Sequence, residues 1–297
     1  IINPVASLLN DKVYAIPEIF IIGWRGEPGS HDEPQHIYQG TITMQLLKDM
    51  DIEAFVVEKG TTEDELKEVM DRYREVLLHG KSVSFVIRKS ALSYGKKMKY
   101  INGSRILRED AIRHVVAMSG NAPIISTTGK TSRELFEIRS GVGAEHKYDF
   151  LTVGSMGHCS SIALGVALNK PQTKVWCIDG DGAALMHMGA MALIGAIRPS
   201  NLIHVLINNG AHERVGGMPT VAQEIDFTAI AKACGYPNVA CVDTLKLLDR
   251  ELEMAVKRKG LSFIEVKCSI GARENLGRPT TSAVENKRNF MDYLGEI

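Results

Sequence analysis

Continuous apolar runs alternate with helical patterns along this chain, and the alternation predicts an α/β fold. Runs of five or six apolar, partly β-branched residues are typical of strands that are buried on both faces. Helical patterns between such runs are expected of βαβ units that build parallel sheets. We predict strands at residues 18–23, 53–57, 83–87, 123–126, 174–178, 202–207, 239–242 and 262–267.

Helices are predicted in the intervals between the strands, at residues 40–50, 61–78, 108–118, 158–168, 183–197, 227–234 and 245–259. The helix that starts near residue 61 has the clearest start signal. Thr61 with Asp64 and Thr62 with Glu65 each supply a capping box, in which two side chains satisfy the free N–H groups of the first turn. The second pair is the better match, because glutamate is the preferred residue at its position.

The pattern divides into two domains of the same α/β class. Residues 1–88 carry three strands and predict a domain whose first units are absent, so we expect the chain to begin inside a domain. Residues 89–105 are polar and basic without a clear period, which is typical of a linker. Residues 106–297 predict a second parallel-sheet domain, and a chain of 297 residues is long enough for both.

Oxygen-bearing side chains follow two strands of the second domain. The motif GDG after strand 174–178 places Asp181 between Gly180 and Gly182, and Asn209 is the second residue of the NN pair after strand 202–207. Open parallel sheets bind ligands at this edge, and carboxylate and amide oxygens are the hard ligands that Mg²⁺ takes beside phosphate. The glycines permit close approach, and the helix from Ala183 directs N–H groups at an anion. GDG alone indicates only a turn, but GDG with the NN pair predicts a magnesium diphosphate site.

With these motifs the chain resembles the thiamine diphosphate (ThDP) enzymes of the decarboxylase type. The resemblance implies two tandem domains, one pyrimidine-binding (here incomplete at its N-terminus) and one diphosphate-binding, with ThDP and Mg²⁺ as cofactors. It implies Mg²⁺ ligands at Asp181, Asn209 and the Ala211 carbonyl. Met156 matches the bulky residue that bends the cofactor into its V shape, although a core methionine is the alternative, and the Gly154 carbonyl matches a contact to the aminopyrimidine.

Two loops supply further candidates. Gly129 and Thr131, in the loop after strand 123–126, match a diphosphate-contacting loop of the family, although Thr131 as a helix cap is the alternative. The loop 24–36 concentrates charged residues after a buried strand, and the resemblance implies an active-site histidine at His36; a solvated loop is the alternative. The full set of candidates for substrate and proton chemistry is Arg25, Gln35, Lys130 and Arg214 as substrate contacts, and His36 and His212 as catalytic residues.

Within the family, the motifs WRGEPG…DEPQH, TTGKTSREL, GSMGHCSSIALG and INNGAHERVGGMPT most resemble the phosphonopyruvate decarboxylase branch. The resemblance implies a carboxy-lyase that converts 3-phosphonopyruvate to phosphonoacetaldehyde and CO₂ in phosphonate biosynthesis. Sulfopyruvate decarboxylases are a close alternative, because a sulfonate is also a tetrahedral anion. The family's activating glutamate would lie before Ile1, which leaves a non-catalytic subunit as a further alternative. A Rossmann dehydrogenase is disfavoured, because GVG at residues 141–143 lacks the third glycine of GxGxxG.

Composition narrows the class of partner. The formal net charge is +0 and the basic residues are spread along the chain, which argues against nucleic acid or an anionic membrane as the main partner. No apolar run approaches transmembrane length. The five cysteines form no CxxC or zinc pattern, so we expect free thiols in a reducing cytoplasm. The family resemblance implies a homo-oligomer, a dimer or larger, with each active site between subunits.

Overall fold

The computed structural model describes residues 1–95 and 100–297, with the exception of the Arg214 side chain. The chain forms two compact units, Ile1–Lys97 and Met98–Ile297. The boundary falls within the predicted linker, of which residues 96–99 lie outside the described residues. The assignment of the two units to pyrimidine and diphosphate binding stays a prediction.

The first unit contains a three-stranded parallel sheet. Its strands, in the spatial order β1-β3-β2, are β1 (Ile19–Gly23), β3 (Val83–Ile87) and β2 (Glu53–Val57). Its helices are α1 (Ile2–Pro4), α2 (Pro34–Asp49) and α3 (Glu63–Leu78), and a π-helical turn covers Val5–Leu9. The parallel pairing brings the carboxyl ends of all three strands to one edge.

The start of α3 confirms the better of the two predicted capping boxes. Thr62 Oγ1 accepts a hydrogen bond from Glu65 N at 3.2 Å, and Glu65 Oε2 accepts one from Thr62 N at 2.7 Å. The predicted start of α2 at residue 40 is wrong, since the helix begins at Pro34. Proline fits the first turn of a helix, where no backbone donor is needed. Gln35 and His36 therefore lie in the first turn of α2 and not in a loop.

The second unit is built on a six-stranded parallel sheet. Its strands, in the spatial order β10-β11-β7-β6-β4-β5, are β10 (Asn238–Val242), β11 (Ser262–Lys267), β7 (Leu202–Asn208), β6 (Val175–Gly180), β4 (Ile124–Ser126) and β5 (Asp149–Leu151). A short antiparallel pair, β8 (Ala211–His212) with β9 (Met218–Pro219), follows β7. The 3₁₀ turns are His146–Tyr148, Glu213–Val215 and Val221–Gln223.

Helices cover both faces of this sheet. One apolar layer includes side chains of α4 (Arg108–Ser119), α5 (Lys130–Gly141) and α10 (Leu245–Lys257). The opposite layer includes side chains of α6 (Cys159–Asn169), α8 (Gly189–Ile197), α9 (Phe227–Ala233) and α11 (Ala283–Glu296). Burial on both faces explains the uninterrupted apolar runs of the strands. The predicted fold class, α/β with parallel sheets, is confirmed.

Several elements of the second unit differ from the predicted ranges. The helix predicted at residues 183–197 is two helices, α7 (Asp181–Met186) and α8, and α7 begins at Asp181 itself. Strand β5 was not predicted, because its three residues begin with a charged Asp149 and show neither an apolar run nor a period. Helix α11 was also missed, although Ser282 caps it by accepting a hydrogen bond from Glu285 N. Within the described part of the chain, the helices are too short or too polar to cross a membrane.

Candidate active site

A pocket of the second unit opens beside the carboxyl ends of β4, β6 and β7, the edge at which the sequence predicts a site. Most of its lining had been selected as candidates: Lys130, Thr131, Met156, Gly180, Asp181, Gly182, Ala183, Asn209, Ala211 and His212. The remaining lining residues are Arg108, Thr127, Thr128, Ile207, Glu213 and Val215. The βαβ topology brings these together, because β6 and β7 are adjacent and parallel.

The two predicted metal-binding side chains meet at this edge. Asp181 is 3% exposed, and Thr220 Oγ1 donates a hydrogen bond to its Oδ2 at 2.6 Å. Burial raises the pKa of the Asp181 carboxyl, since charge is disfavoured away from water. Asn209 is 5% exposed, and its Oδ1 accepts a hydrogen bond from Ala211 N at 3.1 Å. A buried carboxylate beside a neutral amide oxygen is the donor set that suits a hard divalent cation.

The opposite wall of the pocket suits an anion. The hydroxyl of Thr127 is buried there and has no hydrogen-bond partner among the described residues. A buried hydroxyl without a partner is costly, and a phosphate oxygen would satisfy it. Helix α5 follows, with Gly129 as its N-cap at φ +103°. The alternative of Thr131 as the cap is wrong, because Thr131 lies inside the first turn. The residues present therefore fit a diphosphate held with a divalent cation.

Two predicted cofactor residues lie beside the pocket lining. Gly154 adopts φ +67° and donates a hydrogen bond from its N–H to Thr128 Oγ1 at 3.1 Å. This bond connects the loop before α6 to the loop after β4. Met156, two residues after Gly154 in the same loop, lines the pocket. Gly129 is the N-cap of α5, and the next two residues, Lys130 and Thr131, line the pocket. Both glycines occupy backbone conformations that residues with a Cβ rarely adopt.

His212 approaches the backbone of α7 closely. A Cβ at Gly182 would lie 2.4 Å from Cε1 and 2.6 Å from Nδ1 of the His212 ring. A side chain at position 182 would therefore have to displace the imidazole from the pocket. Gly182 thus has a second role beside the backbone freedom expected from the sequence.

A buried ion network borders the pocket, and the sequence did not predict it. Arg108 is 5% exposed and forms a bidentate pair with Glu134, with Nε–Oε2 and Nη2–Oε1 distances of 2.6 and 2.8 Å. Its Nη1 also contacts Glu213, whose Oε1 lies 3.9 Å from Lys130 Nζ. Burial raises the pKa of the Glu134 carboxyl. The Arg108 guanidinium is therefore occupied by protein carboxylates, whereas the Lys130 ammonium is held only loosely by Glu213.

Asp179 shapes the turn that presents Asp181. Its Oδ1 accepts a hydrogen bond from Gly180 N at 2.8 Å, and its Oδ2 lies 3.4 Å from His204 Nε2. Cys159 and Cys177 are buried free thiols on the same side of β6, with their sulfur atoms 3.9 Å apart. Burial raises the pKa of both thiols. The two cysteines belong to the apolar layer that packs on this face of the sheet.

The candidates of the first unit form a group of their own. Arg25 pairs with Asp32, with an Nε–Oδ2 distance of 2.7 Å and an Nη2–Oδ1 distance of 2.6 Å. His36 Nδ1 lies 3.0 Å from Asp32 Oδ1. The side-chain oxygen of Gln35 is buried without a hydrogen-bond partner among the described residues. The side chain of Arg214, also a candidate, lies outside them.

Most of the pocket lies inside a segment that matches a known family. Residues 127–266 match the family described as "Thiamine pyrophosphate enzyme, C-terminal TPP binding domain". Thiamine pyrophosphate is another name for ThDP, and the donor set of the pocket fits its diphosphate with a divalent cation. The fold and the site therefore define a ThDP-dependent enzyme.

Longer similarities identify the branch of the family. The chain is 33% identical to the phosphonopyruvate decarboxylase of Streptomyces viridochromogenes, over 98% of this chain and 76% of that protein. It is 32% identical to the phosphonopyruvate decarboxylase of Streptomyces hygroscopicus, over 99% and 75%. It is 33% identical to the sulfopyruvate decarboxylase subunit beta of Methanocaldococcus jannaschii, over 63% and 96%. The chain belongs to the phosphonopyruvate decarboxylase family of ThDP-dependent decarboxylases.

Proposed function

We propose that this decarboxylase acts on 3-phosphonopyruvate and releases phosphonoacetaldehyde and CO₂. The observation that carries the proposal is the position of Lys130 in the lining of the pocket that contains Asp181 and Asn209. A substrate with a second anionic group needs a cation beyond those that hold the cofactor. Lys130 is that cation here, because Arg108 is already paired with two carboxylates.

We assign the cofactor to the pocket residues as follows. Asp181, Asn209 and the Ala211 carbonyl would hold Mg²⁺, and Thr127, Gly129 and Thr131 would hold the diphosphate. Met156 would bend the cofactor into its V shape, the Gly154 carbonyl would contact the aminopyrimidine, and the backbone of residues 180–183 would approach the diphosphate. When bound, ThDP supplies the electron sink that lets CO₂ leave a 2-keto acid. The protein supplies charge, orientation and exclusion of water.

Proton transfer is assigned to the two histidines. His212 reaches the pocket through the space left by Gly182, and the imidazole is the side chain best suited to exchange protons near neutral pH. His36 is the corresponding candidate of the first unit. Arg25, Gln35 and Arg214 stay proposed substrate contacts, and Arg25 would have to share its guanidinium with Asp32.

Sulfopyruvate is the second candidate substrate. The chain matches the sulfopyruvate decarboxylase subunit beta over nearly the whole length of that subunit, and a sulfonate presents the same tetrahedral oxygens with less charge. Relatives described as subunits also support an oligomeric enzyme. We propose a homo-oligomer with each site between subunits, which an active monomer in sedimentation would contradict.

The experiment compares phosphonopyruvate, sulfopyruvate and pyruvate with wild-type protein and the Lys130→Ala variant. A charge-assisted hydrogen bond contributes roughly 1.5–3 kcal/mol. We expect KM for phosphonopyruvate to rise roughly ten- to a hundredfold, because each 1.4 kcal/mol is about tenfold. Pyruvate lacks the second anion, so its KM should change far less.

Lys287→Ala is the matched control, because Lys287 is an exposed lysine on α11 of the same unit. It should leave all three substrates unchanged. Equal losses on phosphonopyruvate and pyruvate with Lys130→Ala would show that Lys130 serves the cofactor or the fold. A higher kcat/KM for sulfopyruvate than for phosphonopyruvate in the wild-type protein would assign the enzyme to the sulfonate substrate.

A further inference from the structure

We propose that Asp32 is the positioning residue of His36: it keeps the proton of the neutral ring on Nδ1 and leaves Nε2 to exchange protons. The effect on turnover rests on the proposed role of His36. Asp32 lies near the end of the loop between β1 and α2. Its two oxygens accept hydrogen bonds from the Arg25 side chain and from the N–H groups of Gly26 and Glu33.

His36 Nδ1 has two possible hydrogen-bond partners, and the one that it uses decides whether this nitrogen carries the proton of the neutral ring. Asp32 Oδ1 lies 3.0 Å from this nitrogen and Arg25 Nη2 lies 2.8 Å from it. A carboxylate can only accept a hydrogen bond and a guanidinium can only donate one. Nδ1 with a proton donates to Asp32, and Nδ1 without a proton accepts from Arg25. Arg25 Nη2 has two N–H bonds, which diverge widely in the plane of the guanidinium. The three distances among Nη2, Oδ1 and Nδ1 form a nearly equilateral triangle, so Oδ1 and Nδ1 lie in similar directions from Nη2. With one N–H directed at Oδ1, the second is poorly aligned with Nδ1, and the carboxylate is the better partner for this nitrogen.

Nε2 of His36 is the ring nitrogen that is free to exchange a proton with a substrate. Among residues 1–95 and 100–297, no hydrogen bond joins Nε2 of His36 to a protein group. The His36 side chain is 23% exposed, so the ring is held and still accessible to a small molecule. A ring fixed at Nδ1 can gain or lose a proton at Nε2 without rotating. This is how a carboxylate orients a general base through the opposite nitrogen.

Close backbone packing also holds the loop that carries Asp32 against helix α2. A Cβ at Gly26 would lie 1.8 Å from the His36 carbonyl oxygen, and a Cβ at Gly40 would lie 1.9 Å from the Gly26 carbonyl oxygen. Trp24 Nε1 donates a hydrogen bond to the Gly40 carbonyl at 3.0 Å. The loop therefore lies directly against the first two turns of α2. Such support is what keeps a functional side chain in one orientation.

The test is Asp32→Asn in the full chain, read by ¹⁵N NMR of labelled histidines, with the His36 signals assigned by their absence in His36→Gln. We expect the neutral wild-type ring to carry its proton on Nδ1. An amide offers both a donor and an acceptor, so the variant should lose this preference. Its kcat should fall roughly 10²- to 10⁴-fold, the range of general acid–base catalysis, while KM changes far less.

Two further variants separate the possible causes. Arg25→Met retains the carboxylate and should retain the Nδ1 proton. Asp71→Asn, at an exposed carboxylate on α3 of the same unit, should change neither spectrum nor kcat.

A wild-type ring with its proton on Nε2 would overturn the proposal whether or not the Asp32 variant folds, and so would an unchanged proton position in Asp32→Asn. Full activity of His36→Gln would instead refute the catalytic role of His36, and it would leave the effect of Asp32 on the ring as measured by NMR.

Discussion

Two aspartates, one in each unit, show opposite ways of accommodating a carboxylate. Asp32 accepts hydrogen bonds from Arg25 and from backbone N–H groups, and the Arg25 bond is the largest cause that holds its pKa well below the usual value. Asp181 is more deeply buried, and burial raises its pKa despite hydrogen bonds from the Thr220 side chain and from the backbone of Gly182 and Asn209. The charge of Asp32 is thus compensated by the protein itself. The donors to Asp181 offset its burial only in part, and this carboxylate lies where a cation is expected to bind.

The difference separates a structural role from a binding role. A carboxylate with enough donors of its own stabilises the loop that surrounds it. A carboxylate whose donors do not offset its burial costs free energy until a cation binds, which is tolerated where function requires it. The basic residues of the second unit repeat the contrast, because Arg108 is saturated by glutamates and Lys130 is not.

The largest effect is expected from Asp181→Asn. The change removes the charge among the proposed Mg²⁺ ligands and retains the shape of the side chain. Loss of a residue that merely supports a metal ligand costs roughly 10–100-fold in affinity, so loss of the ligand charge should weaken binding of Mg²⁺ and ThDP by at least that much. Isothermal calorimetry with both components measures it.

Asp292→Asn is the control for this variant, because Asp292 is an exposed aspartate on α11 of the same unit. It should bind the cofactor as the wild type does. An unchanged ThDP affinity in Asp181→Asn would remove Asp181 from the site, and with it the contrast between the two aspartates.

A smaller effect is expected from Gly40→Ala, which tests whether backbone packing holds the loop around Asp32. The added Cβ would overlap the Gly26 carbonyl. Overpacking of this kind costs about 1–3 kcal/mol, although alanine favours a helix by about 1 kcal/mol. We therefore expect the first unit to unfold at lower denaturant concentration. Trp24 reports this unfolding in a Trp176→Phe background, because the chain has only these two tryptophans.

Gly60→Ala is the matched change in the same unit. A Cβ at Gly60 would meet no atom within 4 Å, so its effect should be close to zero. If Gly40→Ala were as stable as Gly60→Ala, the loop would be able to move away from α2. The geometry of Asp32 would then depend on something other than this packing.

The sequence predicted the parts of the structure that depend on local patterns. Buried strands such as β7 and β11 show as apolar runs, and the capping box of Thr62 marks the start of α3. Helix α2 was predicted six residues late, because its apolar period is weak and Pro34 was taken as part of a loop. The split between α7 and α8 has no local signal in a segment of small apolar residues.

The site was predictable only where motif residues are close in the sequence or follow paired strands. Asp181 and Asn209 meet because parallel strands end at the same edge. The pairs of Arg108 with Glu134 and Glu213 join residues that are 26 and 105 positions apart, and each of them alone looks like an ordinary surface charge. The role of Asp32 was hidden in the same way, since the charged loop around it is also compatible with solvation.

The smallest effect is a difference in how stability without cofactor depends on pH. The pKa of Asp32 is lowered in the folded protein, so its contribution is fully present above the ordinary carboxyl pKa of about 3.9 and is lost as the pH falls toward the folded value. The pKa of Asp181 is raised, so its ionised form costs stability at neutral pH, and this cost disappears as the carboxyl is protonated.

Relative to the wild type, the two asparagine variants should therefore change the unfolding free energy in opposite directions. At pH 7, Asp32→Asn should lower the unfolding free energy of the first unit, followed by Trp24. Asp181→Asn should leave that of the second unit unchanged or higher, followed by Trp176 in a Trp24→Phe background. The Asp181 difference should shrink as the pH falls to about 3.9, because the folded carboxyl is protonated above that pH. The Asp32 difference should shrink only below about pH 3.9, where the carboxyl of the unfolded chain is protonated while that of the folded protein is still charged. Destabilisation of the second unit by Asp181→Asn at pH 7 would mean that protein donors already compensate Asp181, as they do Asp32.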